Sequence, residues 1–104
     1  MAQVEVSKKI GTRVNNQLKE PTLYRVIYIN DDQTSAEFVV GSLVEHFDYT
    51  PATAEMITNT IHETGAATVA VLPYEIAEQK GIEITVEARS NNFPLQIKLE
   101  PDEA

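Results

Sequence analysis

The chain has 104 residues, one domain's worth, with room for one modest core and little for a deep enzyme cavity. Its composition is that of a soluble protein, 42% hydrophobic and 23% charged, and its formal charge of -8 disfavours phosphate backbones and anionic lipid as partners. It contains no cysteine, which excludes a disulfide framework, a thiolate nucleophile and a Cys-based zinc site.

In residues 1–20, Lys8, Lys9, Arg13 and Lys19 stand against Glu5 and Glu20, a balance of +2, so the rest carries -10. This stretch is polar, with a short alternation at Val4 and Val6, and reads as a flexible N-terminal extension. It lacks the apolar core of a secretory signal, and no later run is long enough to span a bilayer, so a cytoplasmic location is expected.

A core domain over residues 21–104 follows. Thr22 to Ile29 is rich in β-branched and aromatic residues and reads as a strand. It ends abruptly in Asn30, Asp31 and Asp32, and a loop continues to Ser35. Thr34 or Ser35 can cap a helix whose apolar residues Val39, Val40, Leu43, Val44 and Phe47 recur at three- and four-residue spacing. Asp48 to Pro51 ends that helix and starts another, with Thr50 as cap and Pro51 in the first turn. Ala54, Ile57 and Ile61 form the core stripe of the second helix, and Gly65 closes it.

Ala67 to Leu72 reads as a strand. Beyond Pro73 two periodicities compete. Ile82 to Glu87 alternates like a strand, yet Ala77, Gly81, Ile84 and Ala88 share one helical face, and Glu75, Glu78 and Gln79 suit a helix, which is the preferred reading. Leu95, Ile97 and Leu99 alternate with Gln96 and Lys98 as a last strand, and Pro101 to Ala104 is expected to fray. The fold class is α+β: order β-α-α-β-α-β, two layers, with the helices on one side of a small sheet.

Few residues suggest chemistry. The Asn30-Asp31-Asp32 strand exit can be read simply as a turn and helix cap. His46, beside Phe47, reads as a solvated or half-buried helix residue. Ser35, His62 and Asp31 form a hydrolytic set on paper only, without a nucleophile elbow or Gly-rich oxyanion loop. Asp31, Asp32 and His62 could in principle hold a divalent ion, but adjacent aspartates on an extended segment diverge. No metal or other cofactor is expected. On the second helix, Thr58 lies four residues before His62 and three before Ile61, so a hydroxyl, an apolar side chain and an imidazole share one side. If the first strand ends beside that face, Asn30, Asp31 and Asp32 meet His62 above an apolar patch. Such a constellation suits an α-ammonium, which offers three N–H donors and one charge.

Leu23-Tyr24-Arg25-Val26-Ile27-Tyr28-Ile29-Asn30-Asp31-Asp32-Gln33-Thr34, Glu37-Phe38-Val39, Ile61-His62-Glu63-Thr64-Gly65, Glu75-Ile76-Ala77-Glu78-Gln79-Lys80 and Pro94-Leu95 together resemble the ClpS adaptor family. The resemblance covers roughly residues 20–100 in one register. It implies a non-enzymatic, monomeric adaptor that recognises N-terminal degradation signals (N-degrons, of the N-end rule) and delivers their bearers to a Clp AAA+ unfoldase, of ClpA or ClpC type, coupled to the ClpP peptidase. It implies a three-stranded antiparallel sheet with three helices, the third over residues 74–90. Position by position, it assigns Asn30, Asp31, Asp32 and His62 to the substrate α-amino group. Tyr28, Ile29, Thr34, Ala36, Val39, Thr58, Ile61 and Leu95 are assigned to the pocket for a bulky hydrophobic first side chain. Glu75 and Lys80 match positions that contact the unfoldase, and residues 1–20 match an extension that assists hand-over. Two positions depart from the family: Ala36 and Thr58 stand where methionines are common, so a widened specificity, or a docking regulator with altered or lost degron binding, is also implied.

Overall fold

The computed structural model describes residues 22–103. The expected N-terminal extension, together with Pro21 and Ala104, lies outside them. Six elements follow in chain order: β1 (Leu23–Ile29), α1 (Ala36–Phe47), α2 (Pro51–Thr64), β2 (Ala66–Pro73), α3 (Tyr74–Ser90) and β3 (Gln96–Pro101). The strands form one antiparallel sheet in the order β2-β1-β3. The α+β class, the element order and the open three-stranded sheet agree with expectation.

β1 is central because its apolar residues serve two neighbours and the core together. Val26 and Tyr28 are fully buried, while Arg25, Ile27 and Ile29 on the alternate positions are half-buried. The β1–β2 ladder shifts register between Val26 and Ile27, which face Ala70 and Thr68, so Val69 is an extra residue on β2. Such a bulge changes the phase of the pleat. Burial on β2 accordingly passes from Val69 directly to the neighbouring Ala70. The Tyr49 hydroxyl donates to the Val69 carbonyl at the bulge, at 2.6 Å.

The caps explain where α1 and α2 begin and end. Of the two candidates for α1, Ser35 is the cap: its Oγ accepts from the Phe38 N–H at 3.0 Å. Thr50 does the same for Thr53 at the start of α2, with Pro51 in the first turn. Gly65 ends α2 in the left-handed region at φ 91°, where a residue without Cβ is unstrained, and its N–H reaches the Ile61 carbonyl at 2.9 Å.

The ambiguous stretch is helix. Ala77, Ile84 and Ala88 are fully buried, and α3 packs on all three strands. Ile82 and Val86, two of the three apolar residues in the alternation, are 58% and 59% exposed. The strand-like pattern arose because apolar residues stand on both sides of this helix. Two expectations at the C-terminus are corrected. Leu95 precedes β3 rather than belonging to it, and is 2% exposed in the core. The terminal residues do not fray at once: Pro101 pairs with Tyr24, and the Asp102 N–H donates to the Leu23 carbonyl at 2.8 Å.

Candidate functional site

The site forms where β1 leaves the sheet. The backbone N–H of Asn30 donates to the carbonyl of Gly65 at 2.9 Å. Gly65 is the left-handed cap of α2, so this single bond fixes the strand exit beside the last turn of α2, which carries His62. The loop that follows is shaped by Asp31. Its Oδ1 accepts from the N–H groups of Gln33 and Thr34, each at 2.7 Å, and its Oδ2 accepts from the Thr34 hydroxyl at 2.8 Å. Partial burial resists ionisation of this carboxyl. The hydrogen bonds from Thr34 and Gln33, and the positive charge of Arg89, outweigh it and hold the group below the ordinary carboxyl range. The turn-forming reading of the strand exit is therefore right for Asp31, and Thr34 serves this turn while Ser35 caps α1.

Between this loop, α1 and α2 lies a cavity of about 420 Å³. Its rim carries Asn30, Asp32, Ala36, Asn59 and His62, all exposed. Its deeper walls are Thr34 and Asp31, which are half-buried, and Val39, Thr58 and Ile61, which are buried. The Thr58 hydroxyl donates to the Ala54 carbonyl at 2.8 Å, so its proton is spent within the helix and a methyl group and an acceptor oxygen remain. Among the described residues, the side chains of Asn30, Asp32, Asn59 and His62 make no hydrogen bond to the protein. The arrangement is a ring of free acceptors, one of them a carboxylate, over an apolar base. It can hold a small cation with N–H donors attached to an apolar group.

The fold thus brings together nine of the residues singled out from the sequence: Asn30, Asp31, Asp32, Thr34, Ala36, Val39, Thr58, Ile61 and His62. It does not bring Tyr28, Ile29 and Leu95 onto the cavity wall. Tyr28 is fully buried, and its hydroxyl bonds to Ser42 Oγ at 2.8 Å, which in turn donates to the Val39 carbonyl. Burial, eased by the Ser42 bond, pushes its phenol well above the ordinary value. Ile29 and Leu95 line a separate groove with Thr85, Arg89 and Ile97. The side chain passed over in the sequence is Asn59. Its position three residues before His62 was a usable signal. Glu75 and Lys80 lie apart from the cavity on α3, Glu75 in its first turn. Nearby on that end of the molecule, Leu23, Val71, Tyr74 and Ile76 are each more than 40% exposed.

Ligating atoms converge elsewhere. His46 on α1, its side chain 9% exposed, sets Nε2 3.2 Å from Glu87 and Nδ1 3.7 Å from Glu83. Glu45, His46 and Glu87 bring ligand atoms within 4.8 Å of one another, whereas Asp31, Asp32 and His62 are not such a group. His46 is half-buried, the second of the two states expected for it, and it ties α1 to α3. Among the described residues, no helix is long and apolar enough to cross a membrane.

The model of one protein family, described as "ATP-dependent Clp protease adaptor protein ClpS", matches residues 19–98. The ClpS adapter protein of Treponema denticola is 41% identical over 90 residues, covering 86% of this chain and 89% of the relative. ClpS 2 of Mesorhizobium japonicum is 38% identical over 99 residues, covering 95% and 98%. Among solved structures, Agrobacterium tumefaciens ClpS2 bound to L-phenylalaninamide superposes with a TM-score of 0.77 at 37% identity, covering 80% of this chain and all of that one.

Proposed function

As the chain belongs to the ClpS adaptor family of the Clp protease, we propose that its cavity receives the free α-amino group and first side chain of a protein N-terminus. The observation that carries the reading is the junction of unpaired acceptors and apolar wall in one cavity: Asn30, Asp32 and His62 stand over Val39 and Ile61. The ligand in the Agrobacterium relative, L-phenylalaninamide, has both groups such a cavity would sort, an α-amine and a benzyl side chain.

Each residue then has a chemical role. Asn30 Oδ1, the Asp32 carboxylate and one nitrogen of neutral His62 accept the three ammonium protons. Asp31 contributes negative charge at one remove, because its oxygens are held by Gln33 and Thr34. The carboxylates favour the charged amine, and protonation of His62 would remove an acceptor and add a like charge. The side chain rests on Val39, Ile61 and Thr58. With Ala36 and Thr58 in place of two methionines, the pocket is wider, and side chains branched at Cβ, Ile and Val, join Phe, Tyr, Trp and Leu as ligands. Each methylene-sized gap also costs about 0.8 kcal/mol of apolar contact for a ligand that does not fill it.

The bound protein is handed, without chemistry at this site, to a Clp AAA+ unfoldase of ClpA or ClpC type and its ClpP peptidase, in the cytoplasm. Glu75 and Lys80 on α3 dock a monomeric adaptor on the unfoldase, beside the exposed Tyr74 and Ile76, and residues 1–20 assist hand-over. Fluorescence anisotropy with peptides beginning Phe, Leu, Ile and Val tests the reading. Asn30→Ala and His62→Ala are expected to weaken all of them. Acetylating the peptide is expected to cost more than about 2 kcal/mol, because the acceptors that the bound ligand covers lose charged donors. Tight binding of an acetylated peptide excludes ammonium recognition. Unfoldase docking without peptide binding supports the docking regulator instead. Retained Phe and Leu binding with Ile rejected removes the argument from Ala36 and Thr58.

A further inference from the structure

The cavity does not close at Ala36. A second depression of about 510 Å³ is lined by α1 and α2 and shares Ala36, Thr58 and Asn59 with the first. Its other walls are Glu37, Val40 and Gly41 from α1 and Glu55 from α2. Along α2 these residues lead away from His62: Glu55 is seven positions earlier, about 10 Å along the axis at the α-helical rise. Of the three residues common to the two spaces, the one from α1, Ala36, offers a single methyl group.

The groove has a definite chemical character. Val40, Gly41 and Thr58 give it a low, largely apolar floor, and beyond the adjoining backbone of its own helix nothing lies within 4 Å of where a Cβ on Gly41 would stand. Two exposed carboxylates, Glu37 and Glu55, flank it from opposite helices, and neither pairs with a cation among the described residues. An apolar trough with carboxylates on its edges complements an aliphatic stem that ends in a positive charge, the form in which Lys and Arg lie along apolar surfaces with the head in water.

We propose that this groove takes the distal part of a long cationic first side chain, so that N-terminal Arg and Lys are ligands of this protein beside the bulky apolar residues. The inference rests on the amine-binding reading above, since the α-ammonium anchors the ligand at Asn30, Asp32 and His62. The stem crosses between Ala36 and Thr58 and lies over Val40 and Gly41. The guanidinium or ammonium group remains hydrated between Glu37 and Glu55. An exposed ion pair contributes little, so the charge itself is worth about two- to tenfold in affinity over both carboxylates, and that share declines with added salt.

The test is anisotropy of the full chain with peptides identical after the first residue, which is Phe, Arg or citrulline, the uncharged analogue of arginine. The Arg peptide is expected to bind, to be displaced by L-phenylalaninamide, and to exceed the citrulline peptide by about two- to tenfold. The Glu37→Gln/Glu55→Gln double variant is expected to erase the difference between Arg and citrulline while the Phe peptide binds as before. If Phe binds and Arg does not, or if phenylalaninamide fails to displace Arg, the groove proposal is overturned and the amine-binding reading stands. Equal binding of Arg and citrulline to the unaltered protein also overturns it. If no peptide binds, both readings fall.

Discussion

Replacing Asp31 by alanine removes three hydrogen bonds at once, those from Gln33 N, Thr34 N and Thr34 Oγ1, all between 2.7 and 2.8 Å. The loop is only half-buried, so water replaces part of what is lost. The closest measured analogue is loss of a helix-capping aspartate, which costs about 0.5–2 kcal/mol, and charged hydrogen bonds lie at the upper end of such ranges. A loss of about 2 kcal/mol in urea unfolding at pH 7 is expected. Asp31→Asn keeps one acceptor for both N–H groups and is expected to cost less than half as much. The cost is pH-dependent with a definite sign. The folded-state carboxyl lies below its ordinary value of 3.8. Its contribution is therefore complete above that value and is lost as pH falls through the depressed folded-state value. The gap between wild type and Asp31→Ala should thus be constant from pH 7 to about pH 5 and shrink in stronger acid. A gap below about 0.3 kcal/mol at pH 7, or one that persists unchanged in acid, refutes the role given to this carboxylate.

Two further substitutions probe the packing that holds the site. Gly81 lies inside α3, and a Cβ there would meet Ile97 Cγ2 at 3.8 Å, an ordinary contact; Gly81→Ala is expected to stabilise the domain by about 0.5–1 kcal/mol through helix propensity, and destabilisation in a urea titration would show that α3 and β3 have no such room. Leu95→Val, at a residue 2% exposed and off the cavity wall, is expected to cost about 1 kcal/mol of stability with the affinity for a Phe-initiated peptide unchanged. A fall in affinity without a fall in stability would instead make Leu95 part of the binding pocket.

Residue chemistry alone located much of this protein. Thr50-Pro51 and Gly65 mark the bounds of α2 because capping and left-handed backbone are properties of single residues. Helical and strand spacing sufficed for α1, α2 and β1. It failed to decide α3, where Ile82 and Val86 are apolar but exposed, so the pattern carried two periods at once. The family resemblance resolved that stretch, and nine candidate site residues do share one cavity.

What no local pattern encodes is distance between residues far apart in the chain. The bond from Asn30 N–H to the Gly65 carbonyl brings an acidic strand exit to a histidine some thirty residues later, and it exists only because β1 and β2 pair and α2 ends where β2 begins. Folding also divides residues that look alike in sequence. Asp31 and Asp32 are adjacent carboxylates, yet one is consumed in building the loop and the other is left exposed on the rim. Tyr28 and Leu95 go to the core because the pleat and the close of the α3–β3 turn aim them inward. The composition of each segment sets which shapes it can take. The packing of one segment on another decides which side chains are left free to meet a ligand.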